Sequence, residues 1–135
     1  MCSRHNKSCH VVQCDLAEDP PIDINYLGPY DVVICCLSIG HVSKTNEDFE
    51  REISKISGLV KSGKHLLIQL AESKDMNDCI GCYPIGDKIY SRKNVSYAFA
   101  QATLEKYFDE VTITRIDALA NQSAVGAMIF TARKK

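Results

Sequence analysis

The stretch Tyr30–Val42, YDVVICCLSIGHV, constrains the fold more than any other part of the chain. Its apolar run, Val32 to Leu37, is too short for a packed helix and is bounded by Asp31 on one side and by Ser38, Gly40 and His41 on the other. Such a run reads as a strand buried on both faces, as in a parallel sheet. Ligands of open α/β sheets sit beyond the carboxyl ends of such strands. Any chemistry is therefore expected near Cys36–His41, unless these residues simply close a core strand.

The segment after this strand sets its partners. Ser43–Lys61 carries Phe49, Ile53, Ile56 and Val60 at helical spacing, one buried stripe of an amphipathic helix. Thr45 with Asp48 resembles a capping box, and Glu47, Asp48 and Glu50 place negative charge in the first turn. Gly63 is expected to end the helix in a left-handed conformation. Lys64–Ala71 is then a second buried strand. A strand–helix–strand order makes a right-handed crossover, so the two strands should be parallel.

Val11–Leu16 is a short strand candidate ending near Asp15, and Ala17–Pro29, with Pro20, Pro21, Gly28 and Pro29, is a connecting loop. Glu72–Tyr90, with Gly81, Pro84 and Gly86, reads as a long irregular segment, and loops of that length are usually functional or mobile. Ser91–Phe108 is expected to be a helix with Val95, Phe99, Ala102 and Leu104 inward. Glu110–Asp117 and Ala127–Arg133 read as strands, and the linker 118–126 fits an antiparallel pair. The expected class is α/β, a parallel core finished by an antiparallel hairpin.

Composition narrows the function. The 135 residues suffice for one domain, although a complete doubly wound nucleotide-binding domain is usually longer. A net charge of −1 gives no pull toward nucleic acid or an anionic membrane, and the apolar runs fall far short of a membrane span. The first ten residues are polar, unlike a secretory leader. With 7 cysteines and no such leader, reduced thiols in a cytoplasmic setting are expected.

Taken in order, VVQCDLAEDPP, PYDVVICCLSI, LVKSGKHLLIQLAES, YPIGDKIY and GAMIFTARKK resemble the small-molecule N-methyltransferases, the family of nicotinamide, phenylethanolamine, indolethylamine and thioether methyltransferases. The resemblance runs over essentially the whole chain but covers only the C-terminal half of the family's domain. It implies a partial, Rossmann-like class I methyltransferase sheet whose first strands are missing, with residues 1–135 as a single partial domain. It also implies S-adenosyl-L-methionine as cofactor and methyl transfer to the nitrogen of a small amine or pyridine-like N-heterocycle.

The resemblance carries over residue by residue. Asp15 matches the acid that accepts a hydrogen bond from the adenine amino group, and Leu16 the residue whose backbone N–H faces the ring. Cys36 and Leu37 match the strand end beside the methionine part of the cofactor. Tyr83, in the pattern Tyr83, Gly86, Asp87 with Tyr90 following, matches a tyrosine that packs on the acceptor, where an aromatic face suits a flat ring or a cation. By residue type alone, Asp15 is equally a solvated strand-end acid, Cys36 and Leu37 are core packing, and Tyr83 covers a core edge. No catalytic residue is implied, because the sulfonium is already activated and the protein has only to align the two centres and exclude water.

Parts of the family pattern are absent from this sequence. There is no Gly-rich turn after a first strand and no acid for the ribose, and Gly81–Gly86 follows no strand and opens no helix, so it is not a nucleotide fingerprint. Where several family members hold the amine with a carboxylate this chain has Leu70, the nearest replacements being Glu72 and Asp75. A truncated gene product or incomplete gene model is therefore expected, binding the cofactor weakly or not at all, with an exposed apolar edge open to self-association. Two other readings stand beside it. One is a non-catalytic remnant that binds a ligand or partner. The other is a zinc-binding module using Cys2, His5, Cys9, His10, Cys79 and Cys82, although no metal site is expected because the flanking turns of a knuckle are lacking. A redox role for Cys79-x-x-Cys82, or a nucleophilic pairing of Cys36 with His41, has still less support in the residues.

Overall fold

A computed structural model describes residues 9–73, 79–117 and 126–135. The elements are β1 (Tyr30–Cys36), α1 (Ile39–Val42), α2 (Asn46–Leu59), β2 (Val60–Glu72), β3 (Cys79–Ile85), β4 (Lys88–Asn94), α3 (Tyr97–Glu105), β5 (Phe108–Asp117) and β6 (Gly126–Lys134). The main sheet has the order β1-β2-β6-β5, with β1 parallel to β2 and the other pairs antiparallel. The strands β3 and β4 form a separate antiparallel pair. The linker between β5 and β6 lies outside the described residues.

Helix α2 starts where its sequence says it should. The Thr45 hydroxyl accepts from the Asp48 amide at 3.1 Å, and Asp48 Oδ2 accepts from the Thr45 amide at 3.1 Å, completing the capping box. Phe49, Ile53, Ile56 and Val60 are all buried, as their spacing predicts. The helix stops at Leu59, before Gly63, because Val60 is already extended and paired with Tyr30. Gly63 lies instead within β2 at φ +76, where the register slips between the Tyr30–Val60 and Val32–His65 pairs. Only glycine takes that conformation at little cost.

Both long helices lie on the same face of the sheet. Phe49, Ile53 and Ile56 of α2 and Ala100 and Leu104 of α3 share one core cluster with Leu66, Ile68, Leu70, Met128 and Phe130. The opposite face is open. Ile34, Leu67, Thr131 and Thr112 form one row across it by register, and the two threonine hydroxyls meet at 2.5 Å. Val32 is 56 % exposed and Ile34 65 %. The apolar run in β1 is thus buried on one face only, at the end of the sheet order. No alternation in the run reveals this, because alternation appears only when the outer face is polar.

Three other expectations change. Residues 11–16 form no strand, and Cys14 makes only an isolated bridge to Ile22. The segment read as irregular holds the β3–β4 hairpin, in which Pro84 is tolerated because this pair stands apart from the main sheet. Residues 91–94 belong to β4, so α3 begins only at Tyr97, where the Ser96 hydroxyl accepts from the Phe99 amide at 3.3 Å. The inward residues of α3 are Ala100, Thr103 and Leu104, while Ala102 is exposed.

Candidate functional site

The end of β1 is joined to the hairpin through α1. A Cβ at Gly40 would lie 2.8 Å from the Lys93 carbonyl oxygen, so only glycine lets α1 lie this close to β4. The root of the hairpin is tied to the end of β2: the Ser73 amide donates to the Val95 carbonyl at 2.9 Å, and the Val95 amide to that of Ala71 at 3.1 Å. Between β1 and β2, Leu37 has φ 58, a left-handed conformation that is strained for a leucine. Its amide donates to the Gln69 carbonyl at 3.0 Å, which helps hold it there.

A cavity of about 280 Å³ opens beside this strand end. Cys14, Asp15 and Leu16 form one wall; Val33, Ile34, Cys35 and Ser38 form another; Val42, Ile56 and Leu59 close it. Asp15 sits in a tight turn. Its amide donates to the Pro21 carbonyl at 2.8 Å, and its Oδ1 accepts from the Ala17 amide at 2.9 Å. Both cavity thiols are pushed above the ordinary value of 9.0, Cys14 by burial and then by the Asp15 charge, and Cys35 by burial, partly offset by the Ser38 hydroxyl. They are therefore neutral S–H groups at neutral pH.

The structure brings Asp15 and Leu16 to this cavity but not Cys36 and Leu37. Cys36 pairs with Gln69 on the open face, and the neighbouring Cys35 and Ser38 line the cavity instead. The covered side of β1 is that of Val33 and Cys35, a parity that an unbroken apolar run cannot reveal. Tyr83 has its backbone in β3 opposite Tyr90, and its side chain lies outside the described part of the structure. Asp87 is exposed in the hairpin turn with Gly86, roughly 20 Å along the strand from the hairpin root. Of the two replacement acids, Asp75 lies outside the described residues. Glu72 is buried and engaged on both oxygens, by Arg115 Nε at 3.1 Å and by a second guanidinium nitrogen. That guanidinium also lies 5.5 Å from the Tyr97 ring centre. Glu72 therefore closes the sheet end and presents no unpaired carboxylate to an amine.

Among the described residues no three His, Cys, Asp or Glu side chains come together as a metal site. Cys2, His5 and the side chain of Cys79 lie outside the described residues. The Cys79–Cys82 stretch is strand, and does not open a helix as a redox pair would. No helix among the described residues is long and apolar enough to cross a membrane.

Neither a family model nor a curated protein matches this chain. Its fold does match solved structures. A glycopeptide N-methyltransferase crystallised with S-adenosylhomocysteine superposes with a TM-score of 0.63 at 14% identity, over 94% of this chain and 62% of that one. A SAM-dependent methyltransferase from Methanosarcina mazei gives 0.58 at 10% identity, over 79% and 60%. The Burkholderia thailandensis 1,6-didemethyltoxoflavin N1-methyltransferase, with 1,6-didemethyltoxoflavin and S-adenosylhomocysteine bound, gives 0.55 at 16% identity, over 80% and 45%. The chain spans less than two thirds of the length of each. These likenesses define the fold: the α/β, Rossmann-like fold of the SAM-dependent methyltransferases, with β5 and β6 as its antiparallel close.

Proposed function

We propose that the cavity beside β1 receives the adenine end of S-adenosyl-L-methionine, and that the chain serves methyl transfer to the nitrogen of a small amine or N-heterocycle. The observation that carries this reading is the convergence of Asp15 and Leu16 with the end of β1 around one hollow. The residues fit the group. Leu16, Val33, Ile56 and Leu59 offer apolar walls to a flat ring, Asp15 offers an acceptor for an exocyclic amine, and Ser38 a hydroxyl. The volume is at the small end for a ligand pocket and suits a nucleobase better than a whole cofactor.

When bound, S-adenosylmethionine supplies a methyl already activated on sulfur. The chain's own residues then have modest tasks. Asp15 and Leu16 orient the ring, while the walls exclude water. By family resemblance the hairpin that carries Tyr83 is assigned to the acceptor side, with Asp87 at its exposed tip. Nitrogen as the acceptor atom draws support from the two neighbours named as N-methyltransferases. In the same reading, residues 1–135 are the C-terminal half of such a domain working in the cytoplasm, where the free thiols of Cys9, Cys14, Cys35, Cys36 and Cys82 stay reduced.

Isothermal titration with millimolar S-adenosylmethionine tests the reading. Weak saturable binding, displaced by adenosine, is expected from a chain that holds half of the cofactor site. Heats that neither saturate nor respond to adenosine would refute it. A micromolar Kd would contradict the half-site reading instead.

A second reading is favoured by the open sheet face, where Val32, Ile34 and Ile116 stand exposed. A partner or a second copy covering that face would make the chain a binding module. Light scattering separates the two, since a monodisperse monomer across the concentration range counts against self-association.

A further inference from the structure

The turn that carries Asp15 and Leu16 is held by a cation from a distant helix. Lys55, on α2, points its ammonium at this turn, where Nζ donates to the carbonyls of Leu16 at 2.8 Å, Glu18 at 3.0 Å and Ala17 at 3.4 Å. Glu52, one turn earlier on the same helix, lies 3.5 Å from Nζ through Oε1. The Lys55 side chain is only 12% exposed and that of Glu52 2%.

An ammonium has three N–H donors and no acceptor. Three carbonyls converge on one point only when the backbone between them is turned, so the cation and the turn require each other. The turn's own bonds are few: Ala17 to Asp15 Oδ1, Glu18 to the Asp15 carbonyl at 3.1 Å, and Asp15 to Pro21. None of them reaches β1. Lys55 does what those bonds cannot, because α2 is packed on the sheet through Phe49, Ile53 and Ile56 and fixed at its start by the capping box. It refers the position of Asp15 to the same helix whose Ile56 and Leu59 close the cavity.

We infer that Lys55, steered by Glu52, is a positioning residue for adenine binding: it sets the gap between the Asp15–Leu16 turn and the end of β1. This rests on the cofactor reading above. It touches no ligand and acts through the backbone of residues 16–18. Nothing in the spacing of the sequence links Lys55 to a turn 39 residues earlier.

The test combines hydrogen exchange of the ligand-free chain with S-adenosylhomocysteine titration. In Lys55→Met the stem is kept and the donors are lost. The Ala17 and Glu18 amides should exchange at least about tenfold faster, the Ile68 amide should not change, and the Kd should rise about tenfold. Lys55→Arg, which can still donate to several carbonyls, should restore most of both effects. Lys106→Met removes a surface pair with Glu50 on the same helix, 2.8 Å apart, and should change neither. Equal binding by wild type and Lys55→Met would overturn the inference while sparing the cofactor reading. So would an equal loss in Lys106→Met, or faster exchange at Ile68 matching that at Ala17. Failure of the wild type itself to bind would remove the cofactor reading, and the positioning role with it.

Discussion

Replacing Asp15 by asparagine probes the cavity with almost no change of shape. The aspartate already uses Oδ1 to hold the Ala17 amide at 2.9 Å, a bond that an asparagine Oδ1 can keep, so the turn should survive. The other position then changes from an accepting oxygen to a donating NH₂. An adenine 6-amino group, itself a donor, loses its partner and meets another donor. A hypoxanthine 6-oxo group gains one. A hydrogen bond to a charged acceptor is worth about 1.5–3 kcal/mol, which corresponds to a loss of about 10- to 150-fold in affinity for S-adenosylhomocysteine. The affinity for S-inosylhomocysteine should rise, inverting the preference. NMR titration of both ligands on both proteins measures the ratio even at millimolar Kd, and exchange of the Ala17 amide reports whether the turn is intact. Unchanged preference with an intact turn would mean that Asp15 does not read the base, and the adenine assignment would fall.

Other expectations concern the fold that holds the cavity. Ile68 is 0% exposed, between Cys35 and Phe130 in register, so Ile68→Ala should cost about 2–5 kcal/mol in urea unfolding. On the open face, Ile34→Thr should shift stability by no more than about 0.5 kcal/mol and lower any concentration-dependent mass in light scattering. Thr45→Ala should cost about 1 kcal/mol through loss of the cap, read from the urea midpoint. Asp48 is lowered from 3.8 to about 2, first by the Lys44 amide and then by Arg51. Its contribution is therefore present above pH 4 and lost as pH falls through 2. A stability profile over that window should flatten in Asp48→Asn.

Local chemistry wrote much of this protein into its sequence. The capping box of Thr45 and Asp48 and the stripe Phe49, Ile53, Ile56 are interactions among near neighbours, so spacing alone reveals them. The strands β1, β2, β5 and β6 announce themselves through apolar and β-branched runs. What the sequence could not say depends on which segments meet. Residues 88–94 are strand because 79–85 lie beside them, although the stretch reads locally as loop and helix. Cys35 rather than Cys36 faces the cavity because α2 covers one side of β1, and no neighbour of Cys36 in the chain encodes that choice. Glu72 is closed off by an arginine 43 residues later, and the Asp15 turn is gripped by a lysine 39 residues on from Leu16. Side-chain spacing determines α2 and the strands of the main sheet, since those energies are local. The cavity is a property of distances between elements, which only the packed chain determines.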